Sequence, residues 1–297
     1  MPRSDDHMNS VPRVCVDTLA LAHGVRSGVR QSFLEEANVA AKRCGTELIW
    51  PVLMDGFLVT DLDAEAFDRL CQRSDFRKIG AAGVGLANVR SLTGGLTAAA
   101  SLAVGEMLGA DVVVTGGLGG IHRGRLNDQS ADLYALSVSR LPLVCSGFKP
   151  FIDAEASIAV LDASSVPIFH CDDGGWPCLY ANDPNLCFGE KVDSIEEVAA
   201  ALNGQQQLAR SCRSCLCVLS VPQDAALSSI EVEACCSSVM EKACLDSVLG
   251  SDLTPWLIKA MRQLLGKSLD IANEAALMNN IVASAVLANK LVSTEIH

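Results

Sequence analysis

No apolar run in this sequence reaches the roughly 18 residues that a membrane span requires, although 49% of its residues are hydrophobic and its mean hydropathy is +0.29. The first dozen residues, MPRSDDHMNSVP, lack the apolar middle of a signal peptide. These two shortages predict a globular protein of the cytoplasm with no membrane partner. Positive charge is scarce as well: 23 Lys and Arg stand against 35 Asp and Glu, a net charge of −12. That balance argues against a nucleic-acid surface, yet it leaves room for a local basic pocket holding one phosphate. The expected partner is a small molecule. No internal repeat and no glycine- or proline-rich linker divides the 297 residues. Residues 1–12 therefore read as a flexible tail and 13–297 as a single α/β domain, long enough to bury a sizeable core.

Cysteine is plentiful, with 13 residues, but zinc-site spacing is missing. Cys212, Cys215 and Cys217 have no second ligand pair, because Cys235 and Cys236 are adjacent and no histidine is near. Reduced thiols are expected instead, with Cys15, Cys145 and Cys244 acting as small hydrophobes inside apolar runs. A dinucleotide fingerprint is absent too. After Gly117 and Gly119 its third glycine would fall at position 122, which is His122, and no acidic residue closes a following strand at the usual distance.

What is present centres on Val112 to Asp153: an apolar strand (VVVT), a glycine-rich turn (GGLGG), His122, an acidic segment from Asp128 to Asp132, a second strand (LPLVCSG), then Lys149. A lysine placed directly after an apolar strand, beside Phe148, Pro150 and Phe151, is set for desolvation to lower its pKa. The neutral amine is the form that attacks carbonyl carbons. The glycines allow backbone N–H groups to approach an oxyanion or phosphate, and His122 directly follows that turn. Asp128, Ser130 and Asp132 lie two apart, so an extended segment would face all three one way, as oxygen ligands for a divalent cation. The plainer reading makes Ser130 or Asp128 a helix N-cap.

Elsewhere, strands alternate with helices, which predicts a three-layer α/β sandwich around a mostly parallel or mixed central sheet. Residues 12–22 read as a strand with Asp17 inside it, and Asp55-Gly56 as a hairpin turn. Lys78 reads as a surface charge, and Ala98 as part of a tightly packed small-residue helix. Gly174 to Gly189 reads as an irregular loop, either a lid or a surface excursion, and Asn273 as a cap near the start of the last helix.

The order TGGLGGIHRG, DQSAD, CSGFKPFID resembles the pseudouridine-5′-phosphate glycosidase family, also called the indigoidine synthase A family, whose corresponding run is TGGIGGVHRG, DISAD, CAGAKSILD. Weaker similarity extends from about Val14 to about Leu291. The resemblance implies a nucleophile at Lys149 and a proton donor at Asp17, where the family has glutamate six residues before a His-Gly pair. It implies substrate contacts at Lys78, Ala98, Thr115, His122, Ser130, Ala131, Asp132 and Asn273, and a Mn²⁺ or other divalent-cation ligand at Asp128. It further implies a homotrimer, and a reaction in which a lysine Schiff base splits the C–C glycosidic bond of pseudouridine 5′-phosphate into uracil and ribose 5-phosphate.

Two departures stand out. Asp17 is one methylene shorter than glutamate, and the family's arginine and aspartate after the lysine are replaced by GAAGVG after Lys78. They open two further readings: a C-glycosynthase joining a pentose 5-phosphate to a carbon nucleophile other than uracil, and a catalytically silent sugar-phosphate-binding relative.

Overall fold

Short strands such as Val112–Val114, Leu143–Cys145 and Leu216–Val218 are buried along their whole length. Apolar on both sides, they suit a parallel sheet covered by helices on each face. The computed structural model describes residues 11–171, 174–206 and 214–293. Residues 1–10 of the expected tail and Cys212 lie outside the described residues.

Seven parallel strands form the main sheet, in the order Glu190–Lys191, Ile168–His170, Leu216–Val218, Leu143–Cys145, Val112–Val114, Arg13–Val16, Glu47–Ile49. Successive side chains enter different cores. Val14, Val112, Val114 and Val144 join one cluster with Phe33, Ala37, Leu277 and Ile281, whereas Cys15, Val113, Leu143 and Cys145 join another with Leu102, Leu133 and Leu136. The result is the expected three-layer sandwich, because period-two alternation sends half of each strand to each helical layer.

A smaller mixed sheet of Phe57–Val59, Val52–Met54, Gly94–Leu96 and Arg77–Ile79 stands beside the main one. Its hairpin turns at Asp55-Gly56, both with positive φ, as the sequence predicts.

Several expectations need correction. The strand read over residues 12–22 ends at Val16, and Thr18–Gly24 is a helix whose N-cap is Asp17. The carboxylate captures the Ala20 N–H at 2.8 Å, so local side-chain-to-backbone bonding overrides the apolar run. The loop 174–189 is no surface excursion: Trp176 and Tyr180 are buried, and Trp176–Pro177 pairs with Asn182–Asp183. Asn273 lies well inside the helix Lys267–Ser293 and does not cap it. All described cysteines are free, but Cys244 is exposed while Cys15 and Cys145 are buried.

The helix from Lys267 to Val292 is long and apolar enough, by length and composition, to cross a membrane, although Asp270, Glu274 and Lys290 keep any unbroken apolar run in it short of 18 residues. Its apolar residues serve as core here, since Leu277, Ile281, Ala285, Ala288 and Leu291 are fully buried in the layer beneath the main sheet.

Candidate active site

After Arg13–Val16 the chain adds a strand on one side of the sheet, and it later returns with Val112–Val114 on the other. Strand order therefore reverses between these two neighbours, and the crevice at their carboxyl ends is where open α/β sheets bind ligands. Asp17 follows Val16 and Thr115 follows Val114, so the reversal sets them side by side. The Asp17 N–H donates to the Val114 carbonyl at 2.8 Å, and the Thr115 hydroxyl donates to Asp17 Oδ2 at 2.8 Å. Ala20 N–H occupies Oδ1. Burial pushes the Asp17 carboxyl up to about 6, against the lowering pull of these two hydrogen bonds and of the Lys149 charge; Asp132 adds to the rise.

Lys149 comes four residues after Leu143–Cys145. Its N–H donates to the Leu118 carbonyl at 3.0 Å, tying it to the glycine-rich turn. The half-buried side chain makes no ion pair with a described residue. Burial lowers its pKa, Asp132 and Asp17 partly restore it, and Lys78 lowers it further. A desolvated amine that is not locked to a carboxylate by an ion pair can shed its proton and react.

These groups line one cavity of about 780 Å³. All eleven residues singled out in the sequence reach it: Asp17, Lys78, Ala98, Thr115, His122, Asp128, Ser130, Ala131, Asp132, Lys149 and Asn273. Lys78 is exposed on Arg77–Ile79, and Ala98 opens the helix Ala98–Leu108. Ala81 and Ala82, after Lys78, are also exposed. Asn273 is 7% exposed and packs on Gly24, where a Cβ would come within 2.0 Å of its Nδ2.

The acidic segment supplies the expected cap and lines the cavity. Ser130 caps the helix Ala131–Val138 by accepting from the Asp132 N–H, and Asp128, Ser130 and Asp132 all face the cavity. The Asp132 carboxylate accepts the backbone N–H groups of Ala99 and Gly119, each at 3.0 Å. The anion seated at Gly119 is thus one of the protein's own side chains. Gly119 is required for that reason: a Cβ there would lie 2.5 Å from Ser130 Oγ and 2.8 Å from Asp132 Oδ2.

His122 stacks on Phe151, with ring centroids 5.8 Å apart. Its Nδ1 is 3.4 Å from Asp128 Oδ2 and its Nε2 is 3.2 Å from Thr254 Oγ1. Among the described residues no three His, Cys, Asp or Glu side chains converge as a ligand set, for zinc or any other metal. A single carboxylate such as Asp128 can supply one oxygen to a divalent ion that keeps most of its waters.

Sequence reasoning missed several lining residues. Thr254, Ile258, Lys259 and Arg262 come from one face of the helix Leu253–Leu265, a face visible only as an i, i+4, i+5, i+8 spacing. Leu179 and Tyr180 come from the irregular loop. Fully buried Asn280 braces the site from below: its Nδ2 donates to the Thr115 and Gly116 carbonyls at 3.0 and 3.4 Å, and its Oδ1 accepts from Ser146 at 3.2 Å.

Known proteins share this arrangement of elements. The chain is 29% identical over 280 residues to a pseudouridine-5′-phosphate glycosidase of Gemmatimonas aurantiaca, covering 94% of this chain and 91% of that one. An indigoidine synthase A-like protein of Thermotoga maritima superposes with a TM-score of 0.83 at 25% identity, covering 99% of this chain and 95% of that one. A prealnumycin C-glycosynthase in complex with ribulose 5-phosphate has the same fold, with a TM-score of 0.85 at 19% identity, 98% of this chain and 97% of that one being covered. Residues 5–290 match the family described as indigoidine synthase A like protein, and the chain belongs to that family.

Proposed function

We propose that this protein is a C-glycosidase that cleaves pseudouridine 5′-phosphate to uracil and ribose 5-phosphate. The placing of Lys149 and Asp17 on the wall of one cavity carries the reading. A C-glycosidic bond has no oxygen leaving group to protonate, so the usual two-carboxylate scheme suits it poorly.

In the proposed sequence, the neutral Lys149 amine attacks C1′ and displaces the ring oxygen, which takes up a proton, so the ribose ring opens to an amine adduct still bonded to uracil. The C–C bond to uracil then breaks with its electron pair passing into the pyrimidine as the nitrogen lone pair completes the C=N bond of a Schiff base. A proton from Asp17 neutralises the leaving base, and water hydrolyses the Schiff base to release ribose 5-phosphate and free Lys149. Covalent catalysis divides one difficult cleavage into easier steps. A carboxyl raised to about 6 retains part of its protonated form near neutrality, as a general acid must. Thr115 fixes its orientation, and Lys78 steadies the opened sugar.

His122, Ser130 and the turn held by Asp132 surround the phosphate, and Asp128 supplies one ligand to Mn²⁺ or another divalent cation, which when bound screens the phosphate charge. The assembly we propose is a homotrimer.

A second reading, a C-glycosynthase running the same chemistry toward bond formation with another aglycone, is favoured by one observation. Asp17 is short and already holds Ala20 and Thr115, so its reach toward a leaving base differs from that of a glutamate.

Incubation with pseudouridine 5′-phosphate and Mn²⁺ tests the first reading through release of ribose 5-phosphate. Pentose-phosphate binding without release supports the synthase. Borohydride should trap the pentose phosphate on wild-type protein and leave no adduct on Lys149→Ala. Binding without any adduct on the wild type would mark a silent binding relative, and equal trapping in the variant would move the nucleophile to another lysine.

A further inference from the structure

The helix Leu253–Leu265 lines the cavity and links two chemically different ends. At one end, Thr254 meets His122. Arg262 lies eight residues later, about 12 Å along the helix axis. There its Nη2 donates to the His23 carbonyl at 2.7 Å and its Nε to Asp270 Oδ1 at 2.6 Å. These two tethers fix the guanidinium at the cavity wall, and Nη1 has no acceptor among the described residues.

Lys259, one turn earlier on the same face, makes no ion pair with a described residue. Asp270 offsets one of the two charges, so Arg262, Lys259 and Asp270 together carry one net positive charge in a chain whose overall charge is −12. Asn273 and Gly24 complete it. The Asn273 side chain is 7% exposed, and its amide makes no hydrogen bond to a described residue. On the cavity wall, that amide is open to a ligand.

If the pentose phosphate occupies the His122 end with C1 at Lys149, as proposed above, the aglycone falls to the Arg262 end. We infer that this end takes an aglycone bearing an anionic group, a carboxylate or a comparably ionised oxygen, gripped by Arg262 and Lys259 while Asn273 bonds its polar edge; the inference rests on the sugar-phosphate reading above and favours its second form, in which the aglycone is not uracil. A neutral ring would need only the amide, whereas a carboxylate makes charge-assisted hydrogen bonds to both cations. Arg262 and Lys259 are thereby the residues that set aglycone specificity.

Calorimetric titration of uracil and of orotate, its 6-carboxylate, into protein saturated with ribose 5-phosphate tests this. Orotate should bind about tenfold or more tightly than uracil, in line with a charge-assisted bond. Lys259→Ala and Arg262→Ala should each erase most of that preference, while ribose 5-phosphate alone binds within about twofold of wild type. The Lys259 variant leaves the Asp270 tether intact, so its result stands if the Arg262 variant misfolds.

Equal affinity for orotate and uracil would overturn the inference. So would variants that lose ribose 5-phosphate along with orotate, since the phosphate would then occupy the Arg262 end. Failure of the wild type to bind ribose 5-phosphate at all would overturn the sugar-phosphate reading itself, and this inference with it.

Discussion

Asp17→Asn isolates the electrostatic cost of the buried acid from its structural role. In the folded protein the carboxyl holds its proton up to about pH 6, against 3.8 ordinarily, chiefly because burial penalises the charged form. Between those values the folded state binds a proton that the unfolded chain has released. Stability is therefore fully present below the lower value and falls as pH rises through the upper one. At about 1.4 kcal/mol per pH unit, ionising Asp17 costs the folded state about 3 kcal/mol by neutral pH.

Asparagine caps a helix N-terminus about as well as aspartate. It can also keep one hydrogen bond to Ala20 and one to Thr115, and it never ionises. The variant should thus match wild type near pH 4 and exceed it by up to about 3 kcal/mol near pH 8. Urea unfolding across that range measures the difference. Turnover should fall by about 10² to 10⁴ over the same range, as for loss of a general acid. A stability difference that stays constant from pH 4 to about 8 would refute the assignment of a raised, proton-holding carboxyl at Asp17.

Other perturbations probe the scaffold. Thr115→Val removes the donor on Asp17 Oδ2 and should cost about 1 kcal/mol; the acid would ionise at still higher pH, read as an upward shift of the corresponding limb of the pH–rate profile. Gly119→Ala places a Cβ against Ser130 and Asp132, so a loss of about 1–3 kcal/mol in thermal unfolding is expected, together with weakened ribose 5-phosphate binding. Asn280→Ala strips the buried carbonyls of Thr115 and Gly116 of their donor and should cost about 2 kcal/mol. If binding of ribose 5-phosphate stays unchanged in that variant while stability falls, Asn280 braces the fold without setting the cavity's geometry.

Local chemistry was legible wherever neighbours in sequence sufficed to decide it. Alternating strands and helices, the Asp55-Gly56 hairpin and the cap at Ser130 all depend on spacing within a few residues. Reading Asp17 as a strand residue went wrong because apolar periodicity cannot register one side chain bonding back to the Ala20 amide. Contacts across large separations left no such trace. Asp132 reaches Gly119 and Ala99, Asn280 reaches Thr115, and Arg262 reaches His23, over 13 to 239 positions in sequence.

The sequence by itself determined that parallel strands would carry their functional groups at their carboxyl ends, because the buried runs VVVT and LPLVCSG lead straight into Thr115 and Lys149. Only the tertiary structure decided that Asp17 and Thr115 become neighbours, since that depends on strand order reversing between Arg13–Val16 and Val112–Val114. Only it decided that Arg262 and Lys259 close one end of the cavity. The physical reason is the same in both cases: hydrogen bonding and apolar burial select each element locally, but the pairing order of the sheet and the docking of the helix Leu253–Leu265 depend on which distant surfaces fit together.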